Sequence, residues 1–274
     1  MHKLVSFNHR IISAENSFLS AASSAALYGK GVFTTVAIYN AKPFLWEKHW
    51  RRLTENAGKV GIDLSVFSEY AIEKLLAEII AENNFTNGRA RLTFFDESAS
   101  RIWQAKPQNK TSFLIQTADF RLITEDFRLT FSPFAVNSKS PLAGVKSCNY
   151  LENILAVEDA KTRGFDEAIR LNERGEIVSV SMANIFWIKN GEIFTPALET
   201  GCLAGTTRAV VLENFAVAET KAGINEIIEA DEVFLTSAGI GIGKVKSIDG
   251  RKLLDSSKTS DEVKRFLKKL SDIR

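Results

Sequence analysis

The residue with the clearest chemical potential is a lysine near the middle of the chain. Lys146 stands between two apolar-rich segments, just ahead of a helix-like run that begins near residue 150. A lysine amine whose pKa is lowered by desolvation is a nucleophile at neutral pH and condenses with aldehydes. An isolated lysine is more often a solvated surface group. Whether Lys146 is a covalent catalyst therefore depends on the other segments.

Three further segments carry groups that can bind phosphate. Residues 203–208, Leu-Ala-Gly-Thr-Thr-Arg, open an apolar helix-like stretch, and a helix start with a glycine and two hydroxyls either binds an anion or only caps the helix. The glycine-rich residues 236–243 follow a strand-like segment and either let a ligand approach closely or form a flexible turn. Arg52 lies on the polar side of an amphipathic pattern, where it is either solvated or within reach of a phosphate.

The composition restricts the class of protein. A chain of 274 residues, 45% hydrophobic and 25% charged, is long enough for two globular domains. The net charge of +2 and the lack of a long basic run with interleaved aromatics argue against nucleic acid or an anionic membrane as the main partner. The N-terminal sequence has no apolar signal-peptide region, and no run has membrane-spanning length. The sequence predicts a cytoplasmic protein.

The cysteines and histidines give no support for metal chemistry. Cys148 and Cys202 have no zinc-type spacing and are too few for a disulfide framework, so we expect two small buried hydrophobic residues. The three histidines, His2, His9 and His49, show no ligand spacing either. The sequence therefore predicts neither a metal site nor a Ser-His-Asp triad.

Hydrophobic periodicity predicts the elements that position these groups. Apolar residues at helical spacing predict helices over residues 46–60 and 69–82, and β-branched and aromatic content predicts strands over residues 90–95 and 112–116. The polar residues 118–126 are predicted as an interdomain linker. This gives a smaller α+β N-terminal domain over residues 1–117 and a larger C-terminal domain over residues 127–274, which carries Lys146.

The second domain has its own pattern of elements. A helix is predicted over residues 150–163 and an amphipathic helix near the C-terminus. The predicted strands of this domain lie at residues 127–131, 167–171, 184–188, 192–195 and 232–235. Asn190-Gly191 predicts a tight hairpin turn between two of these strands, because both residues tolerate positive φ.

Four segments of the chain occur in the order of the motifs of a known family. They are residues 28–35, residues 49–53, the Lys146 segment, and Asn184 with the turn at residues 205–208. The order and spacing resemble the class IV, fold type IV pyridoxal-phosphate enzymes, which are branched-chain aminotransferases, D-amino-acid transaminases and 4-amino-4-deoxychorismate lyases. The resemblance implies a mixed α+β, two-domain fold like that of D-amino-acid aminotransferase. It also implies the cofactor pyridoxal 5'-phosphate, a small-molecule amine substrate, and a homodimer with its active site near the subunit interface.

The resemblance also assigns roles to individual positions. Lys146 resembles the lysine that bonds covalently to the cofactor and later moves the substrate proton, and Tyr150 is placed like the residue near the cofactor's phenolate oxygen. The phosphate cradle implied by the resemblance consists of Arg52, Thr206, Thr207, Ser237 and Ala238. The cofactor would act as the electron acceptor, while the protein supplies orientation and charge.

One position departs from the family pattern. The glutamate that pairs with the cofactor's pyridine nitrogen should stand five residues before Asn184, where this chain has Ser179. A carboxylate keeps that nitrogen protonated, whereas a hydroxyl can pair with an unprotonated nitrogen and leaves the ring a weaker electron acceptor. A local register shift would instead bring Glu176 to the ring. Ser179 is the predicted partner of the ring nitrogen, and Glu176 is the alternative.

Two features bear on the reaction. Gly-Val-Phe-Thr-Thr at residues 31–35 resembles the lyase branch, where two threonines follow the aromatic residue. Elimination of pyruvate tolerates a weaker electron acceptor because aromatisation drives it. The resemblance implies substrate contacts from Phe33, Thr35 and Arg91, with Arg89 as the alternative to Arg91. We therefore predict an aminodeoxychorismate lyase of folate synthesis. The alternatives are an aminotransferase for branched-chain or D-amino acids with 2-oxo acid acceptors, and a cofactor-binding protein that has lost catalysis.

Overall fold

The computed structural model describes four stretches of the chain, residues 1–99, 110–120, 126–253 and 258–273. They form two compact units. Of the described residues, the first contains 1–99, 110–120 and 145–149, and the second contains 126–144, 150–253 and 258–273. Residues 121–125 of the predicted 118–126 linker lie outside the described residues, so the linker stays a prediction.

A sheet with six described strands organises the first unit. The strands are β1 (Leu4–Phe7), β2 (Arg10–Ser13), β3 (Gly31–Tyr39), β4 (Lys42–Pro43), β5 (Gly88–Asp96) and β6 (Thr111–Ala118). Their spatial order is β2-β1-β6-β5-β3-β4, and all neighbours are antiparallel. The predicted strands at residues 90–95 and 112–116 are β5 and β6, and the long pairing of β3 with β5 places Thr35 directly opposite Arg91.

The helices of this unit are α1 (Ser24–Tyr28), α2 (Trp46–Lys59) and α3 (Glu69–Glu82). Helices α2 and α3 pack against one face of the sheet, whereas α1 buries none of its residues. The Ser68 hydroxyl accepts the Ala71 N–H and so begins α3, which has the predicted bounds. The core between α2, α3 and the sheet contains fully buried residues from each element, including Val32, Leu53, Leu76 and Phe94. Each such side chain contributes roughly 1.5–3 kcal/mol to folding, and their burial fixes which face of β3 the helices cover.

Residues 145–149 belong to the first unit, although the sequence places them in the predicted C-terminal domain. The Phe33 N–H donates to the Lys146 carbonyl at 2.9 Å, and the Cys148 N–H donates to the Gly31 carbonyl at 2.8 Å. The segment thus pairs with the first residues of β3 like a short extra strand. The predicted domain bounds stay a prediction, and the sequence pattern does not reveal the backbone hydrogen bonds that hold this segment against β3.

The second unit is built on a larger mixed sheet. Its nine described strands are β7 (Asp126–Phe131), β8 (Glu167–Leu171), β9 (Ile177–Val180), β10 (Asn184–Lys189), β11 (Glu192–Pro196), β12 (Val217–Thr220), β13 (Glu232–Ser237), β14 (Gly241–Ile248) and β15 (Arg251–Lys252). The order is β12-β11-β10-β13-β14-β7-β8-β9, with β15 paired to β14. Asn190 and Gly191, with φ of 53° and 80°, form the predicted turn between β10 and β11.

The helices of the second unit flank this sheet. They are α4 (Leu151–Thr162), α5 (Thr206–Asn214), α6 (Ile224–Ile228) and α7 (Lys258–Ile273). The core contains Ile169, Ile185, Trp187 and Leu235, none more than 1% exposed. The mixed helix-and-sheet class predicted from the sequence is confirmed. None of the helices in the described ranges is long and apolar enough to cross a membrane.

The glycine-rich stretch at residues 236–243 is more ordered than the flexible turn that its composition allows. Only residues 238–240 form a turn, because β13 continues to Ser237 and β14 begins at Gly241. Gly243 lies inside β14, where a Cβ atom would stand 2.6 Å from the Phe127 ring. This glycine therefore serves close packing between neighbouring strands, and not chain flexibility.

Candidate active site

The Lys146 amine lies in a cationic, desolvated environment. Its Nζ atom is 4.5 Å from the centroid of the Phe33 ring, and the Arg91 guanidinium carbon is 3.7 Å from the same centroid. Burial is the main cause that lowers the pKa of Lys146 from 10.5 to about 7, and the positive charges of Arg52 and Arg91 lower it further. With that pKa about half of the amines are unprotonated at pH 7. The lysine therefore has the property that a nucleophile or proton acceptor needs.

The backbone of Lys146 is held from two sides. Its N–H donates to the side-chain oxygen of Asn56 on α2 at 2.6 Å, and its carbonyl accepts the Phe33 N–H. Asn56 is buried, and the sequence analysis missed it. The sequence could have indicated Asn56, because it is a polar residue on the inner face of an amphipathic helix, where a buried polar side chain must be hydrogen-bonded.

A buried polar network lies on the helix side of β3. Arg52 Nη2 donates to Thr34 Oγ1 at 2.8 Å, and the same hydroxyl is 2.7 Å from His49 Nδ1. Burial is the main cause that holds the pKa of His49 well below its ordinary value, and the charges of Arg52 and Lys146 add to it. Because arginine only donates, the Thr34 hydroxyl accepts from Arg52, and a neutral His49 shares the same hydroxyl. The network fixes the Arg52 guanidinium, whose role as a phosphate ligand stays a prediction.

The predicted substrate contacts share the opposite face of the β3–β5 pair. Phe33 lies across from Thr93 and Thr35 across from Arg91 in the register, and residues two apart on a strand face the same side. Arg91 Nε donates to Thr93 Oγ1 at 3.3 Å. Arg89 is on this face as well, but Arg91 is the arginine of this strand that lowers the pKa of Lys146. The structure therefore places Phe33 and Arg91 beside the lysine, and Thr35 lies on the same face of the sheet opposite Arg91.

In the second unit, the expected phosphate cradle begins where α5 starts. Gly205 is the N-cap of α5, and Thr206 and Thr207 are its buried first residues. The Asn184 amide donates to the Leu203 carbonyl at 2.8 Å, and a Cβ atom on residue 205 would collide with the Asn184 side-chain oxygen. Asn184 thus holds the loop that leads into α5, and the role of this helix start in binding a phosphate stays a prediction.

The Ser237-Ala238 turn is linked to the same strand. Asn184 lies opposite Thr236 in the β10–β13 register, so the turn after Ser237 is at the same end of the sheet as the loop that Asn184 holds. Ser237 Oγ accepts the Ile240 N–H at 3.2 Å. The buried Thr236 hydroxyl has no hydrogen-bond partner among the described residues. An unpaired buried hydroxyl at this end of the sheet fits the predicted phosphate site.

Ser179 occupies β9 directly opposite Arg170 of β8. The alternative residue, Glu176, precedes the strand, and its carboxylate accepts hydrogen bonds from Asn172 Nδ2 and Arg174 Nη2, both at 2.7 Å. Glu176 is thus engaged by two neighbouring side chains in this register. Ser179 is the residue that the structure places beside the buried guanidinium of Arg170.

Tyr150 joins this region through α4, of which it is the N-cap. Its hydroxyl donates to the Ser181 carbonyl at 3.4 Å, and Asn153 Nδ2 donates to the same carbonyl at 2.9 Å. Asn153 in turn accepts from Arg170 Nη1 at 2.7 Å. A connected set of polar side chains therefore runs from Arg170 to Tyr150, although the sequence analysis singled out only the tyrosine and Ser179.

Glu167 was also missed. Its buried carboxylate accepts the backbone N–H groups of Ala168, Ser181 and Met182 at 3.0–3.1 Å. Burial raises the pKa of Glu167, and these hydrogen bonds oppose the rise. The carboxylate braces the turn that follows β9 and so fixes the position of the strand that carries Ser179. The signal for both Glu167 and Arg170 was a charged residue within an otherwise apolar strand.

Comparison with known proteins identifies the family. The sequence profile of the family described as amino-transferase class IV matches residues 31–248. The chain belongs to this family. A putative branched-chain-amino-acid aminotransferase of Methanocaldococcus jannaschii is 30% identical over 97% of this chain and 95% of its own length. A D-alanine aminotransferase of Listeria monocytogenes is 27% identical over 92% and 89%. The aminodeoxychorismate lyase of Bacillus subtilis is 27% identical over 87% and 84%.

Solved structures agree with this assignment. The branched-chain aminotransferase of Thermoproteus uzoniensis, crystallised with norvaline, superimposes with a TM-score of 0.92 at 25% identity and covers 99% of this chain and 95% of its own. The predicted fold type IV architecture is confirmed. Class IV aminotransferases use pyridoxal 5'-phosphate, so the predicted cofactor is confirmed as well. The class IV chain is thus a pyridoxal-phosphate-dependent aminotransferase or lyase.

Proposed function

We propose that this class IV enzyme is a lyase that eliminates pyruvate from 4-amino-4-deoxychorismate and releases 4-aminobenzoate in folate synthesis. The observation that carries the proposal is that Ser179 stands where the resemblance expects the carboxylate partner of the ring nitrogen, with the buried Arg170 directly opposite it in the sheet. A ring nitrogen without a carboxylate makes the cofactor a weaker electron acceptor. Elimination with aromatisation depends less on that acceptor than transamination does, because the aromatic product supplies driving force.

The residues of the first unit suit a substrate that carries carboxylates. Arg91 offers a guanidinium on the face that also carries Thr35, and arginine pairs with carboxylates in a bidentate geometry. Bound pyridoxal phosphate supplies the aldehyde and the electron acceptor. Lys146, with a pKa of about 7, holds an unprotonated amine at neutral pH and can remove the proton from the amine-bearing carbon of the substrate.

The residues expected at the phosphate would hold the cofactor in place. Thr206 and Thr207 present hydroxyls and N–H groups at the start of α5, and Thr236 adds a buried hydroxyl. Arg52 would supply positive charge from its fixed position against Thr34. These assignments follow the resemblance residue by residue. They are tested by measuring the dissociation constant of the cofactor, which should increase in Thr206→Val and in Thr207→Val.

The proposal is tested by supplying the holoenzyme with 4-amino-4-deoxychorismate and measuring pyruvate and 4-aminobenzoate. We expect the two products in equal amounts, and we expect Lys146→Ala to lose turnover while Lys139→Ala, at an exposed lysine, keeps it. A parallel assay supplies branched-chain or D-amino acids with 2-oxoglutarate. Turnover in the second assay alone would overturn the lyase assignment.

The second candidate is an aminotransferase for branched-chain or D-amino acids with 2-oxo acid acceptors. It is favoured by the 30% identity to a putative branched-chain-amino-acid aminotransferase over nearly the whole chain. The same pair of assays separates the two candidates. A cofactor-binding protein without catalysis would show the absorbance of bound pyridoxal phosphate and no spectral change with any amine donor. The homodimer and the cytoplasmic location remain predictions, and light scattering of the purified holoenzyme tests the first.

A further inference from the structure

Arg170 is a buried cation in the second unit whose hydrogen-bonding capacity is not fully used. Its side chain is 3% exposed, and its Nε atom has no hydrogen-bond partner in the part of the chain that the structure describes. A buried donor left unpaired costs about 1–3 kcal/mol. Such a group in the middle of a strand requires an explanation, and a bound acceptor is the simplest one.

The charge of Arg170 is also poorly compensated by the residues around it. Nη1 donates to the neutral Asn153, and the closest carboxylate, Glu152, is 3.4 Å from Nη2 but 77% exposed to solvent. An exposed carboxylate at that distance is screened by water and offsets little of a buried charge. The buried Glu167 is already bound to three backbone N–H groups. Among the described residues, Arg170 therefore has no buried carboxylate as a hydrogen-bond partner.

The cation lies beside the residue expected at the cofactor's ring nitrogen. Arg170 and Ser179 are directly opposite each other on antiparallel strands, so their side chains share one face with Cβ atoms about 4.5–5.5 Å apart. The hydrogen bonds from Arg170 through Asn153 and the Ser181 carbonyl lead to Tyr150, the residue expected near the phenolate oxygen. The unpaired donor thus lies in the region where the resemblance places the pyridine ring.

We propose that Arg170 and Ser179 together face the pyridine nitrogen of the cofactor and keep this nitrogen unprotonated. A guanidinium only donates hydrogen bonds, and a nearby positive charge disfavours a second one on the ring. The family's glutamate has the opposite effect, since a carboxylate accepts the N–H and stabilises the positive charge. The proposal rests on the cofactor of the family and holds for a lyase and for an aminotransferase alike.

The direct test measures the protonation of the nitrogen and not the activity. Apoprotein is reconstituted with pyridoxal phosphate labelled with 15N in the ring, and its 15N NMR signal is followed from pH 6 to pH 9. Free labelled cofactor at acid and alkaline pH gives the two reference positions. We expect the wild-type signal at the unprotonated position throughout. A signal at the protonated position near pH 7 would overturn the proposal without any variant.

Variants then separate the two residues. Ser179→Glu alone places a carboxylate opposite Arg170, where the two pair, so we expect the ring nitrogen to stay mostly unprotonated. In the double variant Ser179→Glu with Arg170→Leu the carboxylate is no longer paired with the arginine. We expect the protonation midpoint of the ring nitrogen to rise by at least about one pH unit more than the sum of the shifts in the two single variants. If the shift in the double variant equals the sum of the shifts in the two single variants, Arg170 has only a structural role.

Controls address folding and the general effect of removing a cation. Arg128→Leu removes an exposed arginine of β7 from the same unit and should leave the 15N signal unchanged. If Arg170→Leu does not fold, as judged by circular dichroism, Arg170→Gln keeps a neutral polar side chain of similar length and replaces it in the double variant. An equal shift in Arg128→Leu would refute a specific role for Arg170.

Discussion

Replacing Arg91 by glutamine should raise the pKa of Lys146 by an amount that the structure predicts. The Arg91 guanidinium carbon and Lys146 Nζ lie 3.7 Å and 4.5 Å from one ring centroid, so the two charges are at most about 8 Å apart. At that separation two unit charges repel by about 0.5 kcal/mol in water and about 2 kcal/mol at an effective dielectric constant of 20. Removing the repulsion should raise the pKa from about 7 by roughly 0.4–1.5 units.

The assay is competitive acetylation of the apoprotein between pH 5 and pH 11. Only an unprotonated amine reacts with acetic anhydride, so the labelled fraction of the peptide that contains Lys146, measured by mass spectrometry, follows its titration. Arg89→Gln is the matched control, because Arg89 lies on the same face of β5, two residues from Arg91, and loses the same charge. We expect a smaller rise in this variant.

Three results would refute the reasoning. A wild-type pKa near 10 would mean that the Lys146 amine is solvated and that burial does not dominate its titration. An unchanged pKa in Arg91→Gln would mean that the guanidinium is not beside the amine. Equal shifts in Arg91→Gln and Arg89→Gln would mean that the amine responds to the net charge of the sheet and not to the neighbour on the Phe33 ring.

Three further variants test the first unit. Below pH 7 the folded wild type must bury a charged amine, so Lys146→Met apoprotein should be more stable than wild type by a few kcal/mol. The unfolded lysine keeps its proton up to pH 10.5, so this difference in stability should vanish as the pH rises from 7 to 10.5. Thermal melts across this pH range measure it. Gly31→Ala places a Cβ atom 2.7 Å from Cys148 Sγ and should cost about 1–3 kcal/mol in urea unfolding; an unchanged midpoint would contradict the close packing. Thr34→Val removes the hydroxyl between two buried partners and should cost about 1–3 kcal/mol, whereas Thr35→Val on the opposite face of β3 should cost clearly less.

Local patterns in the sequence predicted much of the fold. The helix over residues 69–82 has its predicted bounds because its apolar period is regular and Ser68 caps it. The Asn190-Gly191 turn formed because both residues adopt positive φ at little cost. These elements depend on residues that are close in the chain, so single-sequence reasoning reaches them.

Contacts between residues that are far apart in the sequence could not be predicted in this way. Residues 145–149 pair with β3 through backbone hydrogen bonds, which leave no side-chain pattern. The contact of Asn56 with Lys146 joins residues 90 positions apart. The pairing of Arg170 with Ser179 depends on the register between β8 and β9, which the sequence does not show. The candidate residues were thus predictable one at a time, whereas the partners that set their charge and orientation were not.

The charges around Lys146 have a consequence for the proposed reaction. In the free enzyme Arg91 lowers the pKa of the amine, which favours the unprotonated nucleophile that meets the cofactor aldehyde. A substrate carboxylate bound to Arg91 would cancel most of that positive charge, so the amine would become more basic by up to the 0.4–1.5 units worked out above. The amine is then a better proton acceptor at the step in which it takes the proton from the substrate. One arginine would in this way serve both steps. In Arg91→Gln the amine would be more basic throughout, so cofactor capture at neutral pH should slow and substrate binding should weaken, whereas the basicity of the amine would no longer change when substrate binds.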